Sequence, residues 1–185
     1  ETLMRKVSII NKIYKRLMTS LLPLVLLHSI LLSQENTVGL FLNGENSFSG
    51  YTLFAPNGYT DTYLINNEGL LVHSWQSEYR PGVSAYLLGN GNLLRTARLG
   101  NNPTFQAGGQ GGRVEEINWT GELVWSFNYS NEQHQHHHDI EYLPNGNILM
   151  IAWEYISGAE AIAAGRNPSI LNAGELWVDH IIEVE

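Results

Sequence analysis

Cysteine is absent from all 185 residues, which excludes disulfides, thiolate metal ligands and a cysteine nucleophile. Lysine is absent beyond position 15. From residue 17 onward the only arginines are Arg80, Arg95, Arg98, Arg113 and Arg166, set against 17 carboxylates, a formal balance of −12. A body so short of positive charge lacks the phosphate-neutralising patch that nucleic-acid binding requires, and no nucleic-acid partner is expected. There is no P-loop or dinucleotide fingerprint. The glycine-rich stretch Gly108-Gly-Gln-Gly-Gly112 leads from strand to strand without opening a helix. Ser74, Ser84 and Ser126 have no paired His/Asp signature, so a serine triad is unsupported.

The cations that are present crowd the start. Arg5, Lys6, Lys12, Lys15 and Arg16 precede an apolar run from Leu17 to Leu32, broken by Thr19, Ser20, Pro23, His28 and Ser29. A positive region, an apolar core and then Ser33-Gln34 predict a signal peptide over residues 1–34, with cleavage near Ser33 and translation starting at Met4. The alternative is an uncleaved anchor, but the run falls short of the roughly 20 apolar residues that span a bilayer. The expectation is an exported protein, periplasmic or secreted, with no stable membrane anchor after cleavage.

Internal repetition dominates the remainder. Residues 62–75 align with 114–127 at an offset of 52, with Ile65/Ile117, Asn66/Asn118, Gly69/Gly121, Leu71/Leu123, Val72/Val124 and Ser74/Ser126 identical. Residues 86–94 align with 141–149 at an offset of 55, and a third copy starts near Asp179. The second unit reads as four short strands at 113–118, 122–128, 139–143 and 148–154, with tight turns at 119–121 and 144–146. Four-strand units of about 50 residues predict β-propeller blades. The fold class expected is therefore all-β, a propeller of four-stranded antiparallel blades. Residues 35–185 supply about two and a half of them, as a partial propeller domain truncated at its C-terminal end. In an up-and-down meander the two tight turns share one end of each unit. The longer connections at 76–84, 99–112, 129–138 and 155–178 then share the other, and loops at one end of a rigid scaffold commonly carry function.

One such connection holds Gln133-His134-Gln135-His136-His137-His138-Asp139. It has three readings: a solvated polar loop, a metal site using His136 and His138, or acid–base and nucleophilic chemistry on an anionic group. Under the third reading arginine is the natural clamp for a sulfate or phosphate. The offset of 55 sets Arg80 against Gln135, which would bring Arg80 beside the histidine run one blade earlier. Arg166, in the insert 158–168, and His180, at the start of the third copy, are further candidates at the same end. Residues 159–164 read as a short helix inside that insert.

These residues give the chain a resemblance to the bacterial aryl-sulfate sulfotransferase family. It runs from about Gly39 to Glu185 and rests on Gly50-Tyr-Thr-Leu-Phe-Ala-Pro56, Thr62-Tyr-Leu-Ile65, Val72-His-Ser-Trp75, Tyr79-Arg-Pro-Gly82, His137-His-Asp-Ile-Glu-Tyr-Leu-Pro-Asn-Gly-Asn147 and Glu175-Leu-Trp-Val-Asp-His-Ile-Ile-Glu-Val184. The resemblance implies a six-bladed exported propeller in full-length members. It also implies transfer of a sulfuryl group from an aryl sulfate to a phenol without a nucleotide donor or cofactor, through a transiently sulfated histidine. On this chain it points to His137 and His138 as catalytic, with Arg80, His136, Arg166 and His180 as substrate-binding residues and no metal. The partners implied are small molecules, an aryl sulfate and a phenol. The competing expectation is a non-catalytic exported propeller acting as a ligand-binding or interaction module.

Overall fold

Four hairpin turns in the protein have one chemistry. In Asn66–Leu70, Leu88–Asn92, Asn118–Glu122 and Leu143–Asn147 the first residue donates its N–H to the carbonyl four residues on. It accepts at its own carbonyl from the N–H of the glycine three residues on. Those glycines, Gly69, Gly91, Gly121 and Gly146, all have φ between 73° and 92°, the left-handed region that a type I turn with a glycine bulge demands. Asparagine side chains brace the turns from inside. Asn118 Oδ1 accepts from the N–H groups of Thr120 and Glu122, and Asn66 Oδ1 from those of Glu68 and Leu70.

In the computed structural model, which describes residues 40–171 and 174–185, the chain forms ten strands, and these turns join four pairs of them. The strands are β1 (Tyr51–Phe54), β2 (Asp61–Asn66), β3 (Leu71–Gln76), β4 (Pro81–Leu87), β5 (Leu93–Arg98), β6 (Gly112–Ile117), β7 (Leu123–Asn128), β8 (His134–Tyr142), β9 (Ile148–Ser157) and β10 (Glu175–Val184). They form three antiparallel sheets, β1-β2-β3, β4-β5-β6-β7 and β8-β9-β10. The single α-helix among the described residues, α1 (Gly158–Ala163), lies between β9 and β10, where the sequence suggests a short helix. It opens on a capping box in which Ser157 and Glu160 satisfy each other's backbone N–H groups. The expected signal peptide at 1–34 lies outside the described residues. Among those described, no helix is long and apolar enough to cross a membrane.

Two apolar clusters join consecutive sheets. Leu64 and Trp75 of the first meet Leu93 and Ile117 of the second. Leu94 and Val114 of the second meet Ile140, Ile148 and Met150 of the third. Strand alternation explains the arrangement: Leu93 and Leu94 point to opposite faces of β5, so the middle sheet is apolar on both sides.

The expected strands exist, but the unit boundaries differ from those expected. The unit predicted over 113–154 is divided between two sheets. Strands β6 and β7 close the second sheet, while β8 and β9 open the third. A repeat fixes a period and leaves open where in that period the chain passes from one sheet to the next. Here the passage falls at residues 129–133, within a short connection. The third copy starting near Asp179 is likewise β10, the third strand of the last sheet and not the start of another.

The first strands of the second and third sheets share an irregularity. Along β4, Pro81 pairs with Ala97 and Ala85 with Arg95, so Gly82, Val83 and Ser84 stand opposite Thr96 alone. Along β8, His136 pairs with Ala152 and Ile140 with Met150, so His137, His138 and Asp139 stand opposite Ile151 alone. A bulge of this kind bends a strand and redirects its side chains.

Candidate functional site

The histidine run lies in strand β8 and not on the preceding connection, because pairing with β9 already begins at His134–Glu154. Ordinary pleating and the bulge then give its members different environments. Gln135, His136 and His137 are buried; His138 and Asp139 are exposed.

His136 is sealed in the core. Its Nδ1 accepts from the Gly112 N–H at 3.3 Å, which leaves Nε2–H facing the Asp139 carbonyl at 3.4 Å. Gly111 has no side chain, and a Cβ there would overlap the His136 ring. Burial pushes the His136 imidazole down to about 4, against a hydrogen bond to the Asp139 backbone that favours the cation. The ring is a neutral hydrogen bonder of the interior, out of reach of a ligand in the groove described below. The sign of its effect on stability follows. Between the folded value near 4 and an unfolded value near 6.5 the unfolded chain binds the extra proton, so stability falls as pH drops through that window. Urea melts at pH 7 and pH 4 should differ by a few kcal/mol from this residue. A His136→Gln variant should lose most of that difference.

His137 and His138 form a hydrogen-bonded pair, Nδ1 to Nδ1, at 2.7 Å. The His137 ring stacks on Trp153, with centroids 4.1 Å apart and planes at 21°. Trp153 packs in turn against Phe105 and Trp177. On the far side His137 Nε2 lies 3.0 Å from Asp179 Oδ1 of β10. Burial pushes the His137 imidazole below its ordinary value despite the pull of Asp179, so at neutral pH the ring is uncharged.

His138 takes the conformation that the bulge requires, with φ at +56°, uncommon for any residue but glycine. Its N–H donates to the Gly109 carbonyl at 2.8 Å, and its ring lies where a Cβ on Gly109 would stand. The glycine-rich stretch at 108–112 thus makes room for two histidine rings, Gly111 for His136 and Gly109 for His138.

The exposed side of His138 opens onto a groove of about 630 Å3, bordered by Leu53 and Phe54 of β1 and by Val83, Ser84 and Tyr86 of β4, with Asp139 beside it. Two contacts tie β4 to β8 along this groove. The Ser84 hydroxyl faces the His138 carbonyl at 3.4 Å, and the Tyr86 phenol donates to Asp139 Oδ1 at 2.7 Å. The bond to Asp139, followed by burial, pushes the Tyr86 phenol up to about 12. Burial works to raise the Asp139 carboxyl, but hydrogen bonds from Tyr86 and the Ile140 N–H outweigh it and hold the group below its ordinary value. A protonated phenol and an ionised carboxylate therefore coexist at the groove wall at neutral pH.

The remaining candidates separate. Arg80 immediately precedes β4 and is exposed. Its carbonyl accepts from the Arg98 N–H, and its guanidinium makes no hydrogen bond or ion pair among the described residues. Arg166 is exposed beyond α1, its N–H closing the helix on the Ala161 carbonyl. His180 lies away from the groove: its Nε2 is 3.1 Å from the Tyr129 hydroxyl, and its ring meets that of His134 edge-on. The ion that His136 and His138 were considered to share has no shared site, since one ring is sealed under Gly111 and Gly112 and the other lies over Gly109. No group of three or more His, Cys, Asp or Glu able to hold a metal ion occurs among the described residues.

Sequence reading did not single out Asp179, Trp153, Tyr86, Gly109 or Gly111 as site residues. The glycine cluster beside a histidine-rich strand was the visible signal for the last two. Asp179 is 42 residues from His137, and only the three-strand sheet brings them together. Neither a family model nor a curated protein matches the chain.

Proposed function

We propose that this protein transfers a sulfuryl group from an aryl sulfate to a phenolic acceptor, with His138 as the nucleophile. The observation that carries the reading is the His137–His138 pair beside the groove. His138 is exposed on the groove side, while its Nδ1 is engaged by His137, which leaves Nε2 to act. The resemblance of the Tyr79-Arg-Pro-Gly82 and His137-His-Asp-Ile-Glu strings to the aryl-sulfate sulfotransferases supports the same chemistry. The three sheets, each joined to the next by an apolar cluster, are consistent with propeller blades.

The reaction divides into two displacements. In the first, the Nε2 lone pair of His138 forms a bond to sulfur as the bond from sulfur to the aryl oxygen breaks. The phenolate leaves and takes a proton from water. The sulfated imidazole gains positive charge, and His137 accepts the Nδ1–H bond that this charge strengthens. In the second, the acceptor phenol oxygen attacks sulfur, the N–S bond breaks and the phenol proton passes to water. Leu53, Phe54 and Val83 offer an apolar wall to the aryl ring. Arg80, whose guanidinium has no partner among the described residues, is the cation nearest in sequence to the groove-lining part of β4 and suits a sulfate oxygen.

Incubation with 4-nitrophenyl sulfate in the absence of acceptor, followed by rapid quenching and mass spectrometry, tests the reading. One sulfuryl group on the peptide containing His138, with a matching burst of 4-nitrophenol, is the expected result. Unmodified histidines and no burst would overturn it and favour a non-catalytic binding module.

A further inference from the structure

A carboxylate accepts hydrogen bonds and donates none. With Asp179 Oδ1 at 3.0 Å from His137 Nε2, that nitrogen carries the hydrogen. A neutral His137 then has a bare Nδ1. The contact of 2.7 Å between the two Nδ1 atoms needs one hydrogen, which must come from His138. The lone pair of His138 is thereby confined to Nε2. The geometry points to Asp179 as a positioning residue that, through His137, sets which nitrogen of His138 is free to attack.

Three features make this line of side chains a rigid one. The His137 side chain is only 6% exposed and is held flat against Trp153, so the ring cannot turn to exchange its nitrogens. The β8 backbone at His137 is bridged to Gln110, and His138 donates to Gly109, which fixes the separation of the two rings. The β9–β10 pairing sets Asp179 opposite Trp153, and Gln135 pairs with Trp153 from the other side, so the carboxylate arrives from a strand in fixed register. Asp179 itself is 62% exposed. An aspartate on a solvent-facing strand edge is replaceable for folding, so its effect should be confined to the two histidines. The relation parallels the aspartate of a serine triad, which holds a histidine in one tautomer without touching substrate. Here a second histidine stands between the carboxylate and the reacting atom.

This inference rests on the proposed role of His138, but the tautomer exists without substrate and can be read without turnover. The experiment is a long-range proton–nitrogen NMR spectrum of the whole chain labelled with 15N-histidine, near pH 7.5. The expected pattern is hydrogen on Nε2 of His137 and on Nδ1 of His138. In an Asp179→Ala protein the His138 pattern should be lost to a mixture of tautomers, and Asp179→Glu should restore it in part. The buried His136, with hydrogen on Nε2, reports the fold: its signals should not move in either variant. Hydrogen on Nε2 of His138 in the unaltered protein would overturn the inference. So would an unchanged His138 pattern in Asp179→Ala with His136 undisturbed. If His136 shifts as well, Asp179→Leu decides, since it keeps the side-chain bulk and removes the acceptor: an unchanged His138 pattern there would again overturn it. Correct tautomers in a protein that never becomes sulfated would instead defeat the sulfotransferase reading and leave the role of Asp179 standing.

Discussion

A His138→Asn protein is expected to lose turnover of 4-nitrophenyl sulfate with a phenol acceptor by a factor on the order of 10^4 or more. That is the scale seen when a nucleophile is removed from a site that otherwise stays assembled. Asparagine tolerates positive φ better than most residues, so the substitution retains the backbone at +56° and removes the imidazole with its reacting nitrogen. The unfolding midpoint should therefore move little, within the range of about 0.5 kcal/mol typical of exposed positions. Steady-state rates and a urea melt on the same preparation separate the two effects. Turnover within tenfold of the unaltered protein would show that His138 is not the nucleophile.

The second large effect is expected from a single methyl group. Gly109 has φ at +80°, and a Cβ there would occupy the space of the His138 ring. Gly109→Ala should cost about 1–2 kcal/mol for the left-handed backbone. It should also move His138 by about an ångström, a displacement worth on the order of 10^2-fold in rate for an aligned reacting group. Its neighbour supplies the control. A Cβ on Gly108 meets nothing within 4 Å, so Gly108→Ala should leave both rate and stability nearly unchanged. Equal rates for the two variants would mean that the position of the His138 ring is unimportant to the reaction.

What could be read from sequence, and what could not, divides along physical lines. The turns were legible because each is a local problem solved with local residues: an asparagine or leucine to open, a glycine at the left-handed position. The strands followed from their branched and aromatic content. The break between sheets was not legible, because residues 129–133 fall in one of several longer connections at the same end and only the choice of pairing partner distinguishes it. The repeat places the histidine run on a connection, ahead of a strand at 139–143. The run is a strand because His136 finds two hydrogen-bond partners in the interior, which removes the usual penalty for burying a polar ring. The division of labour within the run depends on the bulge, and the bulge depends on pairing with β9. Asp179 is furthest from legibility: a lone carboxylate on a strand has no local mark of its use.

The matching bulges of β4 and β8 bear on how such a chain can change over evolutionary time. In each, three residues stand outside the ladder opposite one, so their side chains are not bound to the alternation of the paired residues. The two copies have taken different courses. In β4 the Thr96 hydroxyl occupies the space inside the bulge, accepting from the Val83 and Ser84 N–H groups, and Gly82 is the residue that leaves room for it. In β8 the residue opposite is Ile151, with no hydroxyl to satisfy the loop, and histidines fill the positions instead. One strand shape thus serves as a plain structural joint in one sheet and carries a hydrogen-bonded histidine pair in the next. A duplicated repeat can keep its folding instructions in the turns and the paired residues while these three positions drift toward new chemistry.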